Sequence, residues 1–220
     1  MMSTTAVPLE AAPVSDRALR ANLAAIARLC PDTAQKIERS ESRADVEFLT
    51  ASDGAVTARV DGRLLASAKK PLAEAEALAS AVDVQEAGGV VTLGFGVGHH
   101  AAALGKRMGR DGLVIAFEPD VALLRAVLER VDHSEWMHRT NFALLTEPAN
   151  GPALSGALKG LEALVAMGVE IVDHAPSRAR LGESGNAFGR TLAQVVSAVR
   201  TNVVTTMMQT ETTVRNTLMN

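Results

Sequence analysis

The sequence predicts an α/β protein: a parallel sheet flanked by helices, preceded by a small unit of helices and antiparallel β-meander, and ended by a long helix. Three observations lead there. Residues 88–120 run from an apolar strand through a glycine-rich turn and an alanine-rich helix into a second apolar strand, one βαβ unit of a nucleotide-binding kind. Strand and helix patterns then alternate as far as residue 172, which demands parallel strands joined by right-handed crossovers. Ahead of them, residues 45–67 alternate in short runs broken by Asp53-Gly54 and Asp61-Gly62, and Asp-Gly readily takes the positive φ angles of tight hairpin turns.

Taken in order, residues 1–15 contain Pro8, Pro13 and many small residues and read as a flexible tail. From Asp16, Leu19, Leu23 and Ile26 recur at helical spacing opposite Arg17, Arg20 and Arg28, until Pro31 stops the pattern. A shorter helix spans residues 32–38. With the meander these form a unit over residues 16–70. Pro71 opens the next helix at a first-turn position, with Glu74 and Glu76 near its positive end.

A Rossmann-like unit then occupies residues 71–186, with strands at 90–93, 113–117, 141–146 and 169–172. Asp120 is placed to cap a helix carrying Leu123, Leu124, Val127 and Leu128. Residues 132–139 read as a short turn, and Pro152 starts a helix running through Leu154, Leu158, Leu161 and Val165 to Gly168. Residues 182–186 read as a loop, and Phe188, Leu192, Val195, Val199 and Val203 begin a helical stripe that continues almost to Asn220.

Composition excludes several roles. Net charge is −3, so no basic surplus points to nucleic acid, and 3% aromatic content without tyrosine leaves few platforms for base stacking. The single cysteine, Cys30, excludes an internal disulfide and reads as a small packed residue. No stretch resembles a secretion signal or reaches the length of a spanning helix, so the expected location is the cytoplasm, with no membrane partner. His133 and His138 are five apart and do not share a helical face, which argues against a metal site.

The candidate ligand-binding set is Gly94, Gly96, Gly98 and Glu118. Glycines let the backbone turn sharply and approach an anion at the next helix's N-terminus. Glu118 ends the second strand, where a carboxylate accepts hydrogen bonds from ribose hydroxyls. His99 stands where the dinucleotide fingerprint needs a small residue, which argues against NAD or FAD. The G-x-G-x-G form resembles motif I of S-adenosylmethionine-dependent methyltransferases, and Glu118 matches their second-strand acid. On that alternative S-adenosylmethionine is the cofactor. The glycines equally suit a tight turn with nothing bound. Asp173-His174-Ala175-Pro176 is similar to the acidic fourth-strand motif of amino-group methyltransferases but lacks its aromatic residue, and reads as a strand-end turn with a solvated acid. Ser184 is no nucleophile elbow, because Asn186 stands where that motif has glycine.

Four segments also resemble the N-terminal region of the motility-associated factor (Maf) flagellin glycosyltransferases of bacteria. They are Ser67-Ala68-Lys69-Lys70-Pro71 with Glu74-Ala75; Gly94-Phe95-Gly96-Val97-Gly98-His99-His100; Phe117-Glu118-Pro119-Asp120; and Thr201-Asn202 through Arg215-Asn216. Family members more often carry tyrosine where His99 stands. The resemblance implies an accessory Rossmann-like domain, with residues 187–220 as a linker helix towards a catalytic domain absent from this stretch. The full protein would move a nonulosonic, sialic-acid-like sugar from a CMP-sugar to serine or threonine of flagellin. The implied partners are that catalytic domain and flagellin; no residue here is assigned a catalytic role, and no cofactor is required.

Overall fold

The computed structural model describes residues 7–8, 14–84 and 86–218. Most of the tail read over residues 1–15 lies outside them. Val7–Pro8 (β1) pairs antiparallel with β2 (Glu47–Thr50), which pairs with β3 (Val56–Val60), itself followed by β4 (Arg63–Leu64). The predicted Asp61-Gly62 turn joins β3 to β4 with both residues at positive φ, 49° and 75°, which is the backbone a two-residue hairpin needs. Two helices precede the meander, α1 (Asp16–Ile26), capped by the Ser15 hydroxyl, and α2 (Pro31–Arg39). Pro31 therefore opens α2 as well as closing the first pattern, because a residue without N–H costs nothing in a first turn.

After α3 (Pro71–Ser80) come β5 (Gly89–Leu93), α4 (His99–Met108), β6 (Leu113–Phe117) and α5 (Val121–Leu128). Asp120 caps α5 as expected, accepting the Leu123 N–H at 2.9 Å. Residues 134–139, read as part of a turn, are a helix, α6 (Ser134–Arg139), started by Asp132 accepting from the Ser134 N–H and hydroxyl. The strand β7 (Asn141–Leu145) follows. The single helix expected from Pro152 to Gly168 is two, α7 (Gly151–Ala157) and α8 (Glu162–Met167), broken where Gly160 takes φ 83°. Then come β8 (Val169–Val172) and α9 (Ala175–Leu181). The last helix, α10 (Glu183–Leu218), starts four residues before the expected residue 187, so the predicted loop shrinks to Gly182.

Strands β5 to β8 form a wholly parallel sheet in the order β7-β6-β5-β8. All five residues of β6 are buried, as a strand covered on both faces requires. The two faces are marked by aromatic contacts. Trp136 of α6 meets Phe142 edge-on at 4.8 Å on one, and Phe188 of α10 stacks on Phe117 at 4.4 Å on the other. Beyond Val199, α10 leaves the core, and residues 200–202 and 204–206 are exposed. There the hydroxyls of Thr201, Thr205, Thr206 and Thr210 donate to carbonyls four residues back, the local bond open to threonine within a helix. No helix among the described residues is long and apolar enough to cross a membrane.

One apolar cluster runs from Leu19 to Val195, so the N-terminal helices share the core of the sheet. Two polar contacts fix them there. Arg43 joins Asp45, Asp61 and Asp120, tying the meander to the turn after β6. Its guanidinium holds the Asp45 carboxyl below the usual carboxylate range. Asn22, fully buried, donates to Leu128 O at 3.0 Å and Val131 O at 2.8 Å and accepts the His133 N–H at 2.7 Å. Asn22→Leu strands these backbone groups in the core, and we expect urea unfolding to show a loss of about 2–4 kcal/mol.

Candidate functional site

The chain leaves β5 through a loop in which Gly94 and Gly98 take φ 95° and 91°, angles that side chains rarely adopt. The loop ends at the N-terminus of α4. Glu118 follows β6, the neighbouring strand, and lies beside the loop: Phe95 N–H donates to its Oε2 at 3.2 Å. Gly94, Gly96, Gly98 and Glu118 are thus brought together at the carboxyl end of the sheet.

What touches them is the chain itself. Glu118 has no exposed surface. Its Oε1 accepts the Asp120 N–H at 3.1 Å, and its Oε2 also accepts from the Arg180 guanidinium. Arg180 comes from α9, an element the sequence reading did not anticipate. The same helix brings Ser177 over the loop, so that a Cβ on Gly94 would lie 2.1 Å from Ser177 Cβ. A Cβ on Gly98 would lie 2.5 Å from His133 Nε2. The missing side chains at 94 and 98 therefore make room for Ser177 and His133. Beside the loop, bounded by Leu65, Glu74, His99 and His174 among others, lies a cavity of about 10 Å³. That is space on the scale of one water molecule, whereas small-molecule sites occupy hundreds of cubic ångströms.

Four histidines surround this packing. His99, at the start of α4, donates from Nε2 to Val56 O at 2.6 Å and so anchors the helix to the meander. His100 donates from Nε2 to Gly94 O at 2.9 Å and stacks on His174, ring centroids 4.0 Å apart. The His174 Nδ1 pairs with the Ser177 hydroxyl at 2.7 Å. Trp136 Nε1–H donates to His133 Nδ1 at 3.1 Å, which requires that nitrogen to be an acceptor; His133 Nε2–H then donates to Val97 O at 2.8 Å, the hydrogen-bonding pattern of a neutral ring. Burial, chiefly, lowers the pKa of His100 to about 3 and of His133 to about 4, and lowers that of His174. Among the described residues no group of His, Cys, Asp or Glu is arranged to hold a metal ion. Cys30 is buried and its thiol pKa is raised to about 11 by burial, the state of an inert packing residue.

The residues that sequence reasoning missed here are Ser177 and Arg180. Pro176 carried a usable signal, because proline favours the first turn of a helix, and a helix from Ala175 places Ser177 and Arg180 one turn apart.

No family model matches the sequence, and no curated protein matches it. Among solved structures the chain is similar to the MAf glycosyltransferase from Magnetospirillum magneticum AMB-1, with 14% identity and a TM-score of 0.46. That neighbour is a glycosyltransferase. The match covers 81% of this chain and 36% of the neighbour, so the chain spans little more than a third of that protein's length. A likeness at this distance transfers neither residue roles nor an activity.

Two outcomes follow from the geometry. Removing one partner of a buried ion pair leaves an uncompensated charge, so Arg180→Met is expected to cost about 3–5 kcal/mol in chemical denaturation, and adding Glu118→Gln should recover much of it. The histidines set a pH dependence. Their folded pKa values lie below the unfolded value near 6.5, so the unfolded chain binds more protons. Stability is then full above about pH 6.5 and falls as pH drops towards 4 and 3, and His100→Gln should flatten that fall in melting temperature measured against pH.

Proposed function

We propose that this chain is an accessory, non-catalytic Rossmann-like domain of a Maf-type protein glycosyltransferase. The observation that carries the non-catalytic part is the filled cradle: Ser177 and His133 occupy the space over Gly94 and Gly98, and Arg180 takes the carboxylate of Glu118. A loop and acid arranged for S-adenosylmethionine need open space above the glycines and free carboxylate oxygens for the ribose, and these residues meet neither requirement as packed. The glycosyltransferase part is supported by the four sequence segments quoted above, of which the run from Gly94 to His100 is the most specific.

On this reading the domain positions a catalytic domain of the same protein, or its protein substrate, in the cytoplasm. The whole protein transfers a nonulosonic sugar from a CMP-activated donor to serine or threonine of flagellin. The apolar stripe of α10 and the helix's departure from the core after Val199 suit a connecting element.

A ligand that binds only the native state raises the melting temperature. Millimolar S-adenosylmethionine or NAD is therefore expected to leave the melting curve of this chain unchanged, and the chain alone should transfer neither methyl groups nor sugar. A clear upward shift with S-adenosylmethionine, abolished by Gly96→Val, would instead establish the methyltransferase alternative with Gly94, Gly96, Gly98 and Glu118 as its binding set.

A further inference from the structure

On the sheet face that carries Phe117, α10 stacks Phe188 over β6 and leaves the β8 edge open. Ile171 remains 53% exposed although its register partner Val91 is fully buried. Between that edge and the junction of α9 with α10 lies a cavity of about 310 Å³. Leu93, Ile171 and Leu181 supply its apolar walls, and Asp173, Arg178 and Asn186 its polar ones.

Topology explains its position. The crossover that leaves β5 runs towards β6, whereas the chain leaving β8 turns back over β5 as α9, setting Ser177 on Gly94 and Arg180 on Glu118. In open α/β sheets ligands collect outside the carboxyl ends of the strands. Here α9 fills the part over Gly94, and the cavity is the part it leaves.

We propose that this crevice binds a nucleoside, with Asp173 accepting hydrogen bonds from the vicinal hydroxyls of the ribose and the base lying against Leu93, Ile171 and Leu181. The site is separate from the glycine loop and does not depend on the accessory reading. Asp173 and Ile171 are two residues apart at the end of β8 and share a face, which puts carboxylate and apolar wall on the same side. Arg178 Nη1 donates to Asp173 Oδ2 at 2.7 Å, which orients the carboxylate, and 53% of the Asp173 side chain remains exposed. A carboxylate offers about four lone-pair positions, enough for two adjacent hydroxyls beside the arginine.

Charge and size narrow the ligand. Asp173 offsets the charge of Arg178, so the polar wall suits a neutral polyol better than a phosphate, and the ion pair is a poor lining for a wholly apolar ligand. The volume lies at the lower end of the range for small-molecule sites, enough for a nucleoside and short of a dinucleotide. A bare sugar would leave three aliphatic side chains wet.

The test is amide NMR titration of the full chain with adenosine at millimolar concentration, followed with Asp173→Asn and with 2′,3′-dideoxyadenosine as the diol-free ligand. Expected are shift changes at Leu93, Ile171, Asp173, Arg178 and residues 182–186 with residues 96–98 unmoved, and a loss of affinity on the order of tenfold for the variant and for the dideoxy ligand alike. Asp173 is a surface residue, so its variant should fold; the dideoxy comparison uses the native protein in any case. No perturbation at that concentration, perturbation centred on residues 96–98, or equal binding of the two ligands overturns the proposal.

Discussion

A carboxylate taken wholly out of water must be given donors, and the solution found for Glu118 shapes the carboxyl end of this sheet. Two backbone N–H groups, from Phe95 and Asp120, and one guanidinium, from Arg180, meet its two oxygens. Because Arg180 belongs to α9, holding the acid also holds the helix, and holding the helix brings Ser177 onto Gly94. Ion pair, loop and helix are therefore one packed unit, and an isolated change in any of them reaches the others.

This arrangement reverses the ordinary use of the same parts. A glycine-rich turn and a strand-end acid next to it commonly receive a nucleotide, the turn offering backbone N–H groups and the acid accepting from ribose. Here the turn receives a serine and a histidine of the same chain, and the acid receives an arginine. The histidines extend the pattern. His133 and His100 return their ring N–H groups to loop carbonyls at Val97 and Gly94, so the loop is held from both sides by neutral rings.

The N-terminal helices and meander are part of the same construction. Asn22 closes the end of α5 with three hydrogen bonds, His99 joins the start of α4 to β3, and Arg43 links the meander to the turn that carries Asp120. Asp120 in turn donates its N–H to Glu118. Contacts from the first 60 residues thus reach the glycine loop and its acid by way of α4, α5 and the turn after β6.

The sequence by itself determined the strands after the tail, the parallel order of the last four, the meander with its Asp-Gly turns, the cap at Asp120 and the meeting of Gly94, Gly96, Gly98 and Glu118, but not the short strand at Val7–Pro8. These follow from local periodicity, turn chemistry and the fixed hand of βαβ crossovers, which are written in neighbouring residues. It misread residues 134–139 and 183–186, missed α9 and joined α7 to α8, because helix ends and short helices are set by packing and by single residues such as Gly160 rather than by a sustained pattern. Only the tertiary structure decided what fills the cradle. The partner of Glu118 stands 62 positions away at Arg180, and that of Gly98 at His133; no local rule connects residues so separated, since what selects them is the cost of leaving a buried charge without donors and a buried gap without atoms.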